Sequence, residues 1–111
     1  METSRAETFR KLLEKDQDNP MILCSLGIEL FKGGRYPEAR EYLQRAIENK
    51  PDYSVAYRML GRAHFELREN REARRVLTRG REAAQENGDL QTVREIDVFL
   101  RRLDRREAGE G

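Results

Sequence analysis

The side chains most often used in nucleophilic and metal chemistry are represented here by one histidine, His64, and one cysteine, Cys24. A Cys–His dyad needs the thiol and the imidazole within hydrogen-bonding distance, but His64 would have to reach Cys24 from a different helix face. One histidine and one cysteine also fall short of an ordinary four-ligand zinc site. Glycine-rich phosphate-binding motifs are missing from the sequence as well. We therefore expect no catalysis, no metal and no cofactor.

Arginine is the other residue type with binding chemistry, because eighteen arginines stand beside four lysines. Guanidinium groups clustered on a helix can bind RNA or an acidic protein. Two such clusters are present: Arg71, Arg74, Arg75 and Arg79, then Arg101, Arg102, Arg105 and Arg106. Acidic residues are interleaved with both: Glu69, Glu72, Glu82, Asp97, Asp104 and Glu107. We expect these charges to pair with one another, which makes nucleic acid an unlikely partner.

Composition limits the size and the location of the protein. The chain has 111 residues, enough for one domain, and 39% of them are charged. A net charge of +1 creates no general attraction for nucleic acid or an anionic membrane. A single cysteine fits a reducing compartment. The N-terminal sequence is too charged for a secretory signal, and no apolar run approaches the ~20 residues that span a bilayer. We expect a cytoplasmic protein without a membrane segment.

An internal repeat determines how these residues are positioned. Residues 20–53, shifted by 34 positions, align with residues 54–87 and give nine identities. The identical pairs are Leu26/Leu60, Gly27/Gly61, Phe31/Phe65, Glu38/Glu72, Ala39/Ala73, Arg40/Arg74, Leu43/Leu77, Arg45/Arg79 and Glu48/Glu82. Each copy contains two amphipathic helical patterns. Neither copy can bury its apolar stripe alone, so we expect the two copies to stack.

The pattern L-x-x-L-G-x-x-L-F…E-A-R…L-x-R-A…P resembles the tetratricopeptide repeat. Gly27, Ala39, Ala46 and Pro51 stand at its small-residue and proline positions. The resemblance implies an all-α fold of antiparallel helical hairpins, stacked as a short right-handed α-solenoid of six helices. It also implies a protein–protein interaction module, an adaptor without catalysis.

The 34-residue register assigns the segments of the chain. They are an N-terminal half-repeat helix (4–16), the first repeat (20–53), the second repeat (54–87), a C-terminal capping helix (89–106) and a disordered tail (107–111). Arg68 stands at the turn where the first repeat has Gly34, at a cost of ~1 kcal/mol if its φ is positive. Gly80 lies in mid-helix and aligns with Ala46, so we expect a neighbouring backbone to pack closely there.

The first helix of each repeat carries a second apolar face, roughly 120° from the face that packs inward. One such face is enough for an ordinary surface helix. In similar arrays the second face lines a concave groove that binds peptides. The candidate groove residues are Met21, Cys24, Ser25, Ile28, Phe31, Val55, Arg58, Met59, Arg62 and Phe65. Phe99 falls in the same register as Phe31 and Phe65.

This surface would suit a peptide with apolar anchors and a carboxylate that Arg58 and Arg62 bind. The family's carboxylate-clamp subclass uses groove asparagines, but Ser25 and Met59 stand at those positions, so the clamp is not expected here. Two alternatives stay open at this point. The terminal helices would cover the apolar face in one of them, and in the other a second copy of the chain would pair with it.

Overall fold

Six α-helices make up the protein in a computed structural model that describes residues 4–109. They are α1 (Ser4–Lys15), α2 (Pro20–Lys32), α3 (Tyr36–Asn49), α4 (Ser54–Glu66), α5 (Asn70–Glu86) and α6 (Leu90–Glu107). Residues 4–109 contain no strand. The all-α fold of six helices is thus confirmed. Helix α6 ends one residue later than expected, at Glu107, and residues 110–111 of the predicted tail lie outside the described part.

The helices stack in chain order. Each helix packs against the next, and the first helices of successive repeats also meet, α2 against α4 and α4 against α6. The assembly measures 44 × 33 × 19 Å. This is the elongated arrangement of a short α-solenoid, in which each unit is buried by its neighbours.

Capping residues set the helix starts at two places. The side chain of Asn19 accepts hydrogen bonds from the backbone N–H groups of Met21 and Ile22, and Pro20 follows as the first helical residue. Asp89 accepts a bond from the backbone N–H of Thr92 at the start of α6. These bonds satisfy amides that a helix leaves without an internal partner.

Close contacts between helices occur at the glycines that the repeat places in mid-helix. A Cβ atom built at Gly27 would lie 2.6 Å from Cγ of Leu43, and one at Gly61 would lie 2.5 Å from Cγ of Leu77. At Gly80 the Cβ would lie 2.5 Å from Cβ of Tyr57. A close neighbour is thus present at Gly80, but it is the side chain of Tyr57 and not the backbone that the sequence led us to expect.

Arg68 adopts the left-handed conformation that its alignment with a glycine turn predicted. Its φ is 59°, whereas the corresponding Gly34 has a φ of 76°. A residue with a Cβ is strained in this region, and glycine is not. The side chain of Arg68 is exposed, so the strain is not offset by burial.

We therefore expect Arg68→Gly to raise the free energy of unfolding by up to about 1 kcal/mol. Urea denaturation measures the change. The control is Arg71→Gly, an exposed arginine near the start of α5, which should lower stability because glycine is a poor helix former. Equal losses in the two variants would contradict the strain at Arg68.

Candidate functional site

Two adjoining cavities lie along the first helices of the repeats. A cavity of about 420 Å³ between α2 and α4 is lined by Ile28, Phe31, Lys32, Tyr36, Arg58, Met59 and Arg62. A cavity of about 340 Å³ between α4 and α6 is lined by Arg58, Arg62, Glu95, Val98, Phe99 and Arg102. Arg58 and Arg62 belong to both cavities and separate them. We call this pair of cavities the groove.

Five of the ten residues predicted from the sequence line the groove: Ile28, Phe31, Arg58, Met59 and Arg62. Met59 is only 4% exposed and forms part of the floor. Phe65 packs edge-on against Phe99, with 5.5 Å between ring centroids. The guanidinium carbon of Arg106 lies 3.6 Å from the ring centroid of Phe65, and Arg106 also donates a hydrogen bond to the Phe65 backbone carbonyl. Phe65 therefore serves mainly to hold α6 against α4.

The remaining four predicted residues do not line either cavity. Met21 is 66% exposed at the start of α2, and Ser25 and Val55 are half-buried. Cys24 is 1% exposed, so it belongs to the core and not to the groove surface. Burial raises the pKa of its thiol, and the Tyr53 hydroxyl beside it acts in the opposite direction. The helical wheel placed Cys24 on the groove side because it could not show that Tyr53 folds over it.

His64 lies in the core, at the position that the 34-residue register aligns with Leu30. It is 7% exposed, and its Nδ1 is 2.8 Å from Oε1 of Glu69. Arg40 donates a hydrogen bond of 2.6 Å to the other oxygen of Glu69. Burial opposes ionisation of Glu69, but these bonds from His64 and Arg40 leave its pKa below the usual value. Glu69 thus connects His64 of α4 to Arg40 of the first repeat.

Arg62 is the central cation of the groove. Its guanidinium carbon lies 4.8 Å from the ring centroid of Phe31 and 4.9 Å from that of Phe99. Both distances are typical of cation–π contacts, which hold a guanidinium group in place. The Nε atom of Arg62 is buried without a hydrogen-bond partner. Within residues 4–109, Arg62 forms no ion pair.

The surroundings disfavour the charged form of Arg62. Burial lowers the pKa of its guanidinium, and the nearby cations Arg58 and Arg102 lower it further. The carboxylates of Glu66 and Glu95 act in the opposite direction without making contact. An anion entering the groove would therefore find a desolvated cation whose charge is incompletely balanced.

Arg58 is already engaged. Its Nε lies 3.0 Å from Oε2 of Glu95 on α6, and its side chain is 20% exposed. The Nε–H does not point at this oxygen, so the contact is an ion pair without a hydrogen bond. Arg58 thus has a carboxylate beside it, whereas Arg62 forms no ion pair in residues 4–109, so the two arginines predicted to bind a ligand carboxylate are not equivalent.

Helix α6 contributes groove residues that the sequence did not single out. Glu95, Val98 and Arg102 line the cavity beside α4, together with Phe99. The 34-residue register marked Phe99 by alignment with Phe31 and Phe65. The same register aligns Glu95 with Gly27 and Gly61, but an alignment cannot show that the carboxylate lies beside Arg58.

The first of the two arginine clusters, on α5, is largely paired with acids. Arg74 contacts Asp104 at 2.9 Å and also Glu107, and Arg75 contacts Glu72 at 3.1 Å. Charges paired in this way leave little free cationic surface on α5 for a polyanion. In the second cluster, Arg106 instead donates hydrogen bonds to the Phe65 carbonyl and to Asn70. Within the described residues 4–109, no group of His, Cys, Asp and Glu side chains is arranged to hold a metal ion. Nor is any helix of this part long and apolar enough to cross a membrane.

Comparison with known proteins agrees with this architecture. A tetratricopeptide repeat family model matches residues 30–95, and a second model with the same description matches residues 5–54. The chain is 36% identical over 99 residues to TPR repeat-containing protein PA0015 from Pseudomonas aeruginosa, covering 89% of this chain and 94% of that protein.

Solved structures show the same fold. The solution structure of protein BPP2914 from Bordetella parapertussis has a TM-score of 0.83 and 34% identity, covering 99% of this chain and 95% of that one. The TPR2B domain of yeast Sti1, solved as a complex with pHsp70, has a TM-score of 0.87 at 21% identity, covering 91% and 81%. The repeat register, the stacked hairpins and these matches together place the chain in the tetratricopeptide repeat family.

Proposed function

We propose that the protein is a non-catalytic interaction module that binds a peptide segment of another protein in the groove. The observation that carries the proposal is Arg62, a partly buried cation between two aromatic rings without an anionic partner in residues 4–109. One solved structure with this fold, the first TPR of Spaghetti (RPAP3), is bound to an HSP90 peptide. That example supports peptide binding as the mode of interaction, and at 23% identity it says nothing of the partner of this chain.

The groove offers two kinds of contact. Ile28, Phe31 and Val98 supply apolar surface for side-chain anchors, and Arg62 supplies a guanidinium for a carboxylate. A peptide that presents both kinds of group would gain from apolar burial and from a charge-assisted hydrogen bond. The protein would then act as an adaptor, and its cytoplasmic location stays a prediction.

Charge placed in the apolar parts of the groove tests the proposal. Peptides selected from a random display library by the wild-type protein should bind at least about tenfold more weakly to Ile28→Glu and to Val98→Glu. Each substitution removes apolar surface and places in the same cavity a carboxylate that competes with the peptide for Arg62. Fluorescence anisotropy measures the affinities. Both positions are solvent-accessible, Val98 at 40%, so the fold should tolerate the changes.

The matched control is Thr78→Glu, which adds the same charge on the exposed face of α5 and should leave peptide affinity unchanged. Circular dichroism verifies that all three variants are folded. The proposal is wrong if selection yields no peptide, or if the selected peptides bind both groove variants as tightly as they bind the wild type.

Self-association through the segment Met21–Phe31 is the alternative drawn from the sequence. Cys24 is buried, and Phe31 is covered by Arg62, which leaves Met21 as the one large exposed hydrophobic side chain of this face. A stable dimer needs a larger contiguous apolar surface. Peptide binding is therefore the better supported proposal, and sedimentation equilibrium distinguishes the two.

A further inference from the structure

The groove contains one carboxylate of its own. Glu95 projects from α6 into the cavity beside α4 and lies 3.0 Å from Nε of Arg58. In the 34-residue register its position corresponds to Gly27 and Gly61, which have no side chain and pack against leucines of the paired helix. Helix α6 has no following helix in residues 4–109 to pack against in that way. Its Glu95 is therefore free to meet Arg58 across the groove.

Arg58 and Arg62 are consequently unequal as ligand-binding groups. They lie one helical turn apart on α4 and line the same two cavities. Arg58 has the carboxylate of Glu95 beside it, whereas the groups in contact with the guanidinium of Arg62 are the rings of Phe31 and Phe99. A ligand carboxylate that approached Arg58 would meet the negative charge of Glu95, and one that approached Arg62 would meet no carboxylate within ion-pair distance.

We propose that Glu95 is a specificity-determining residue of the groove: it acts as an internal anion on Arg58 and directs a single ligand carboxylate to Arg62. This inference rests on the proposed function and names its ligand as a peptide segment with one acidic side chain between apolar ones. A second adjacent acid gains little, because the other groove cations, Lys32 and Arg102, are exposed to solvent and screened.

The geometry at Arg62 favours a carboxylate over a neutral acceptor. The guanidinium lies at cation–π distance from Phe31 and Phe99, and the edge with its terminal N–H donors forms no ion pair within residues 4–109. A carboxylate can accept two parallel bonds from that edge, whereas an amide oxygen accepts them more weakly. The apolar walls on both sides explain why the acid should be flanked by apolar side chains.

Three blocked tetrapeptides of equal length test the inference: acetyl-Leu-Gln-Gln-Phe-amide, acetyl-Leu-Glu-Gln-Phe-amide and acetyl-Leu-Glu-Glu-Phe-amide. Each is titrated into the ¹⁵N-labelled full chain, with backbone amides and arginine Nε–H signals followed by NMR. In the wild type, we expect the peptide with one glutamate to bind about tenfold more tightly than the neutral peptide and to shift the Arg62 Nε–H signal. The peptide with two glutamates should differ in affinity from the peptide with one by less than about twofold.

Glu95→Gln keeps the size of the side chain and removes its charge. We expect the second acid to raise affinity by a further factor of about five in this variant, with a shift of the Arg58 Nε–H signal that the wild type does not show. Affinity for the neutral peptide should stay the same. If Glu95 only held α6 in place, its replacement would weaken all three peptides alike.

Glu82→Gln is the matched control, because it removes the same charge from an exposed carboxylate on α5 and should leave all three affinities unchanged. Equal gains from the second acid in wild type and Glu95→Gln would overturn the inference. Equal affinities of the neutral and the acidic peptides, measured from the amide signals of α2 and α4, would also overturn the inference. The proposal that peptides bind in the groove would then still stand. If no peptide shifts those amides, both the inference and the proposed function are wrong.

Discussion

Replacement of Gly61 by leucine is expected to lower the free energy of unfolding by about 3 kcal/mol. The reason is space: a Cβ atom at this position would already lie 2.5 Å from Cγ of Leu77, which is 0% exposed. A leucine adds three more carbon atoms at the same contact, so α4 and α5 must separate. Loss of a helical glycine returns only about 1 kcal/mol in helix propensity, which is less than the cost of overpacking.

Urea denaturation followed by circular dichroism measures this loss. Gly33→Leu is the matched control, since Gly33 is exposed with a φ of −82°, and the nearest atom to a Cβ there is a backbone oxygen 3.6 Å away. We expect a change of less than about 0.5 kcal/mol in that variant. Similar stability losses at Gly33 and Gly61 would show that α4 and α5 are not in close contact at this glycine.

A second substitution identifies the contact partner. Leu77→Ala alone should destabilise the protein by leaving a cavity. Combined with Gly61→Leu, it should restore part of the lost stability, because the new side chain can fill the vacated space. The two changes would then be non-additive, as expected for residues in contact. Strict additivity would mean that the clash at Gly61 involves some other residue.

The repeat made much of the fold predictable from the sequence. A shift of 34 residues aligned Gly27 with Gly61 and Leu43 with Leu77, and in the structure each glycine contacts the leucine of its own hairpin. Local signals of this kind suffice because each hairpin contacts mainly its neighbours. The left-handed turn at Arg68 followed from the same alignment with Gly34.

The groove was less predictable because its details depend on contacts between distant segments. The helical wheel placed Arg58 and Arg62 side by side, but Glu95 lies on another helix and no local pattern pairs it with Arg58. Cys24 was assigned to the groove for a similar reason, since its burial beside Tyr53 depends on the connection between α3 and α4. Periodicity identifies the face of a helix, and only the packing of other segments shows what covers that face.

The position of α6 also decides how the C-terminal half of the array responds to mutation. Ile96 is 0% exposed, and its Cδ1 faces Gly80 of α5. Ile96→Ala removes three buried carbon atoms and should lower the free energy of unfolding by about 3 kcal/mol. Val98→Ala is the control in the same helix: at 40% exposure, it should cost less than about 1 kcal/mol.

Hydrogen exchange should show where this loss occurs. Helix α6 packs against α5 and α4, whereas α1 packs against α2 and also reaches α3 through hydrogen bonds from Arg10 to Tyr42 and Glu38, so the two ends of the array are coupled through the intervening hairpins. In a stacked array the loss of one interface first frees the terminal unit. We therefore expect Ile96→Ala to reduce protection of α6 amides, and next those of α5, while α2 and α3 stay protected. Uniform loss of protection across all helices would instead mean that the protein unfolds as one unit, with α6 as part of a common core.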